Sequence, residues 1–84
     1  MLRKRDIGKK ILEKMLRMEY IGARHMAYED ISKGFPKHLA GEVRKVADDL
    51  IRINLILKKP TRYGLRISLN PHKMDEIERV VRNS

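Results

Sequence analysis

A mainly helical α+β fold carrying one small β-hairpin is predicted by three observations. Apolar residues recur at helical spacing over residues 5–18 and 37–53, Gly34-Phe35-Pro36 breaks the chain between two helical stretches, and Leu65-Arg66-Ile67-Ser68-Leu69 alternates as a half-buried strand does. The order these give is helix, helix, helix, hairpin, helix. Eighty-four residues form one domain, 1–84, near the lower end of what a lone apolar core stabilises.

The first helix is expected from Arg5 to Met18. Ile7, Ile11, Met15 and Met18 recur along one face with Leu12 beside them, and Lys9, Lys10, Glu13 and Arg17 take the other. Tyr20 to Arg24 breaks the period, with Gly22 suited to a turn, and residues 1–5 read as a basic arm. A short second helix fits Ala27 to Lys33, burying Ile31 and Tyr28. Met26 stands where a capping Ser or Thr belongs, while Glu29 and Asp30 in the first turn complement the helix dipole. Gly34 suits a left-handed helix end, Pro36 the first turn of the next helix, and Phe35 a core plug beneath the corner. So short a connection makes the helices cross steeply, which is a helix-turn-helix arrangement.

The third helix is expected from Lys37 to Ile53. Leu39, Val43, Val46, Leu50 and Ile53 form its apolar stripe with Ala47 at the edge, and Lys37, Gly41, Arg44, Lys45, Asp48 and Arg52 lie opposite. Residues 54–57 form one strand and 65–69 the other, around a loop over 58–64. The inward face is then Leu65, Ile67 and Leu69 opposite Leu55 and Leu57. Asn70-Pro71 caps a last helix that packs through Met74, Ile77 and Val81.

Charge points to a partner. The formal net charge is +9, and it is unevenly placed: residues 1–26 carry +5, residues 27–54 balance, and residues 55–84 carry +4. A charge of this sign favours a polyanion. The chain has no cysteine, which removes disulfides, thiol nucleophiles and cysteine-containing zinc sites and fits an intracellular protein. No apolar run reaches the roughly 20 residues of a membrane span, and Asp6, Lys9 and Lys10 interrupt what a signal peptide needs, so no membrane partner and a cytoplasmic, nucleoid-associated location are expected.

The element order from Arg5 to Asn83 resembles the winged helix-turn-helix superfamily. Gly34-Phe35-Pro36-Lys37-His38-Leu39 and Lys59-Pro60-Thr61-Arg62-Tyr63-Gly64 are similar to stretches of small, basic archaeal proteins of that type. The resemblance implies a recognition helix over residues 37–52 in the major groove of double-stranded DNA and a wing over residues 58–66 on the backbone or minor groove. Glu42, Asp48 and Asp49 depart from that pattern, since they place acids in or beside the helix meant for DNA.

Within these segments the chemistry can be assigned by residue. Lys37, His38, Gly41, Arg44 and Lys45 occupy the N-terminal half of the third helix, the half that reaches base edges. Arg and Lys there can donate to guanine, and glycine admits a close backbone. The alternative is a solvated face, with Gly41 serving helix packing. Lys58, Lys59, Arg62, Tyr63 and Arg66 form the wing set, free to meet phosphates, with Arg62 suited to a minor groove and Tyr63 to a sugar or phosphate. Lysines on an exposed hairpin also serve simply to block edge-to-edge association. Arg3, Lys4 and Arg5 are phosphate contacts or a plain terminus.

No enzyme, metal site or cofactor is expected. His25, His38 and His72 are dispersed, Ser32, Ser68 and Ser84 lack a glycine-flanked elbow, and there is no Gly-rich phosphate loop. The expected function is duplex DNA binding by a transcription regulator or chromatin-associated factor. RNA binding on ribosomal or transfer RNA, and an adaptor for an acidic protein favoured by Asp48 and Asp49, remain alternatives. A homodimer is open, through Val80, Tyr20 and Ile21.

Overall fold

The computed structural model describes residues 3–83. Helix α1 spans Lys4–Arg17 and buries Ile7, Ile11, Leu12 and Met15. Lys4 and Arg5 therefore belong to the helix and not to an arm, because the backbone amide of Arg3 donates to the Asp6 carboxylate (3.3 Å) and begins the helix there. Residues 1 and 2 of the expected arm lie outside the described residues. Met18 is the C-cap and stays 42% exposed, so it does not extend the stripe. The chain leaves the helix through Glu19 at φ 58°, with Glu19 N–H donating to the Leu16 carbonyl (3.0 Å) and Tyr20 N–H to that of Met15 (2.9 Å). This is a Schellman ending made without glycine.

Gly22, at φ 62°, supplies the turn expected of it. Around it Leu69 N–H donates to the Tyr20 carbonyl (2.8 Å) and Gly22 N–H to that of Leu69 (3.1 Å). Tyr20 and Ile21 are consequently half-buried against the core, not exposed. Strand β1 follows at Met26–Ala27, where a helix was expected to start. Its two residues are too few to show a period of two, and Met26, paired with Ile67, is buried in the core.

The expected second helix is a 3₁₀ turn over Tyr28–Ser32. With three residues per turn, Tyr28 and Ile31 fall on the same side and both face inward, so the spacing is served without an α-helix. Gly34 does not take the left-handed conformation foreseen for it: the positive-φ glycines among the described residues are Gly22 and Gly64. Pro36, at φ −55° and ψ 142°, stands before the next turn and not within it. Phe35 packs half-buried against the core.

Lys37–Leu39 form a second 3₁₀ turn that leads into helix α2, Ala40–Arg52. Val43, Val46, Ala47 and Leu50 are buried, and Leu39 is half-buried. Ile53 is 56% exposed, because the chain turns away at Asn54 (φ 67°). Asn54 N–H donates to the Ile51 carbonyl and Leu55 N–H to that of Leu50, each at 3.0 Å, and Leu50 and Leu55 are both buried across that ending. Helices α1 and α2 approach closely at Gly8, where a Cβ would lie 3.4 Å from Val46 Cγ1.

Strands β2 (Ile56–Thr61) and β3 (Gly64–Leu69) form the hairpin, and the antiparallel sheet runs in the order β1-β3-β2. The strands are longer than expected: Lys58 to Thr61 pair with Ile67 to Gly64, leaving only Arg62 and Tyr63 as the loop. Ile56 is the inward residue opposite Leu69, whereas Leu57 faces outward opposite Ser68 and is 39% exposed. That reverses the expected place of Leu57. The core thus lies between α1, α2 and the sheet.

Helix α3 (Met74–Arg82) closes the core with Ile77 fully buried and Met74, Val80 and Val81 packed half-buried beside it. Asn70 starts this last segment as predicted, its Oδ1 accepting from His72 N–H (2.9 Å) with Pro71 at the first position of a 3₁₀ turn over Pro71–Lys73. Its Nδ2 also donates to the Asn54 carbonyl (2.9 Å), and its own N–H to the Leu55 carbonyl (3.0 Å). Replacing Asn70 by Ala removes both side-chain bonds at a buried position, so Asn70→Ala should lower stability by about 2 kcal/mol in urea unfolding. A change below about 0.5 kcal/mol, the range of an ordinary surface substitution, would show that the junction does not depend on this amide.

Candidate nucleic-acid interface

The α2 segment presents its predicted set to solvent. Lys37, His38, Gly41, Arg44 and Lys45 are all exposed. Lys37 and His38 lie on the 3₁₀ turn ahead of the helix, and Gly41, Arg44 and Lys45 on α2 itself. A Cβ built on Gly41 meets nothing within 4 Å. Helix packing within this chain therefore gives no reason for a glycine there. Gly in a helix costs roughly 0.5–1 kcal/mol relative to Ala, and the space in front of Gly41 is open to an approaching surface.

The acids of the same helix are engaged by the protein itself. The Tyr28 hydroxyl donates to Asp48 Oδ1 (2.7 Å), and Asp49 forms an ion pair with Arg52. Glu42 is half-buried and joins no ion pair among the described residues. The Tyr28 hydroxyl is pushed up to about 12, first by burial and then by the hydrogen bond and charge of Asp48, with the Arg44 cation opposing. Two of the three acids that depart from a DNA-binding pattern thus have partners inside the domain.

The hairpin places its basic residues on different faces. Lys59 and Arg66 are directly opposite one another in the pairing, with their side chains on one face. Lys58 pairs with Ile67 and shares the core-facing side of the strand, yet it is exposed on the edge strand. Arg62 and Tyr63 form the tip. Tyr63 is 86% exposed, and the Arg62 guanidinium carbon lies 5.8 Å from its ring centroid. Thr61 Oγ1 steadies the loop, donating to the Gly64 carbonyl (2.7 Å) and accepting from Tyr63 N–H (3.2 Å), while Gly64 at φ 124° absorbs the twist.

Arg66 differs from the rest of the wing set. It is half-buried on the central strand, and its Nε donates to His25 Nδ1 (3.3 Å), so it does not project freely from the hairpin. Arg3, Lys4 and Arg5 are exposed at the start of α1. None of the basic side chains in these three sets forms an ion pair among the described residues.

Tyr28 links the helix that carries one of the sets to the hairpin that carries another. Its hydroxyl lies on Asp48 of α2, and with Ala27 and Glu29 it lines a groove of about 220 Å³ shared with Tyr63, Gly64, Leu65 and Arg66 of the hairpin. Sequence reading missed this link, as it missed the contact of His25 with Arg66, because partners so far apart in the chain leave no local pattern. It also passed over Lys10, Lys14 and Arg17, which line a cleft of about 280 Å³ with Gly34 and Phe35. Their spacing on one helix face was the available signal.

Among the described residues, no group of three or more His, Asp or Glu side chains is placed to hold a metal ion, and no helix is long and apolar enough to cross a membrane. Compared with family models, curated proteins and solved structures, the chain matches none of them.

The tyrosine gives a pH test of the α2 surface. A hydroxyl raised from 10.0 to about 12 favours the fold in its protonated form, so that contribution is complete below pH 10 and lost as pH rises towards 12. Alkaline titration of tyrosinate absorbance should show one component near 12, and Tyr28→Phe should remove it. If the wild-type and Tyr28→Phe proteins differ only in a component near 10, the hydroxyl is not held by Asp48.

Proposed function

We propose that this chain is a winged helix-turn-helix protein that binds double-stranded DNA, with residues 37–52 in the major groove and the β2–β3 hairpin on the backbone or minor groove. The observation that carries the reading is electrostatic. Lys37, Arg44 and Lys45 at α2 and Lys58, Lys59 and Arg62 of the hairpin have no ion-pair partners among the described residues, while Asp48 and Asp49 beside them are engaged by Tyr28 and Arg52. A short turn segment leading into an amphipathic helix and then a basic hairpin supports the winged-helix assignment. A regulator or chromatin-associated factor is the role this chemistry serves.

Engagement of Asp48 and Asp49 also weakens the case for an adaptor docking on an acidic protein, since that case relied on those two acids. On duplex DNA each neutralised phosphate contributes about −0.9 to the slope of log K against log salt. Replacing Lys58, Lys59 and Arg62 together by Ala should flatten that slope by roughly 2–3 units, because all three are exposed. Anisotropy across a salt series reads it, with circular dichroism to check folding. An unchanged slope would remove the hairpin from the interface, and tighter binding to structured RNA than to any duplex would replace DNA as the partner.

Gly41 separates a DNA-facing helix from a merely solvated one. Gly41→Ala should stabilise the free protein by about 0.5–1 kcal/mol, because a helical glycine is removed and nothing is crowded. The same variant should weaken duplex binding. Gain of stability with unaltered affinity would show that no backbone of DNA approaches this turn.

A further inference from the structure

A third concave feature lies on the sheet face that carries Leu57, Lys59 and Arg66. It is a cleft of about 330 Å³ between the Gly22–His25 segment and the hairpin, and its lining is mainly apolar. Leu57 and Ala23 contribute to that lining. Lys59, Arg66 and His25 also border it, and no Asp or Glu does. Its volume falls at the lower end of the range for small-molecule sites.

The polar side is already oriented. Arg66 Nε–H is committed to His25 Nδ1, which fixes the guanidinium plane and leaves its terminal amino groups to donate. Those two groups match a carboxylate bidentately. His25, accepting at Nδ1, carries its proton on Nε2 and keeps a second donor. A neutral apolar molecule would cover Leu57 and leave Lys59 and Arg66 without an anion in the cleft, whereas a bare inorganic anion would answer those two cations and leave Leu57 wet. We infer that the cleft binds a small organic anion, a carboxylate on a compact apolar body, with the carboxylate on Arg66 and the body over Leu57 and Ala23.

This inference does not rest on the DNA reading, and its test contains no nucleic acid. Benzoate is titrated into isotope-labelled protein and amide shifts are followed, with benzyl alcohol and inorganic phosphate as comparison ligands. Benzoate should give saturable shifts centred on Gly22, Ala23, His25, Leu57 and Ser68. Arg66→Met should weaken binding about tenfold or more, the equivalent of losing a charge-assisted hydrogen bond. Leu57→Glu, at an exposed position that tolerates change, should abolish it and decides the matter if Arg66→Met fails to fold. Benzyl alcohol binding as tightly as benzoate, phosphate giving the same saturable shifts, or benzoate shifts spread without saturation over the basic surface would each overturn the proposal.

Discussion

The side chain and backbone of Asn70 tie together the end of α2, the sheet and the start of α3, and the rest of the fold is referred to that point. Its amide nitrogen holds Asn54, its backbone N–H holds Leu55, and its Oδ1 caps the turn that aims Ile77 into the core. A domain of this length has only a few kcal/mol of net stability. Satisfying these three polar groups of Asn70 at a buried crossing is therefore a substantial part of what makes one arrangement preferred over others. The left-handed backbone at Asn54 belongs to the same constraint: it reverses the chain so that β2 leaves α2 in reach of Asn70.

Much of the architecture was legible because it follows from periodicity. The stripes of α1 and α2, the strand Gly64–Leu69 and the Asn70-Pro71 start of the last segment all appear where apolar spacing and capping put them. The misplacements in the strands have a common physical source, namely tertiary pairing. Leu55-Ile56-Leu57 is apolar throughout, so its own sequence carries no phase, and the bond from Asn70 to Leu55 together with the register on β3 decides which residue points inward. Met18 and Ile53 satisfied the helical period but fell on the capping residues where the chain turns out. Met26–Ala27 became a strand only because β3 offered an edge.

For the candidate interface, residue type and exposure were readable and mutual position was not. The exposed α2 set stands as its spacing placed it, yet the significance of Asp48 changes once Tyr28 is found upon it. An acid counted against a polyanion partner in the linear sequence becomes a structural acceptor in the fold. Arg66 moves the other way. Read as one more wing cation, it is instead half-buried and oriented by a histidine, which makes it a better candidate for a shaped contact than for a diffuse one.

The brevity of β1 bears on how the domain moves. Only Met26 and Ala27 join it to the sheet, and the Gly22–His25 segment that walls the outer cleft runs directly into it. Releasing so few ladder bonds is an inexpensive local opening compared with global unfolding, since it exposes little beyond Met26. Such an opening would pivot on Gly22, whose N–H stays on the Leu69 carbonyl, and would release the contact of His25 with Arg66 while α1, α2 and the hairpin stay packed.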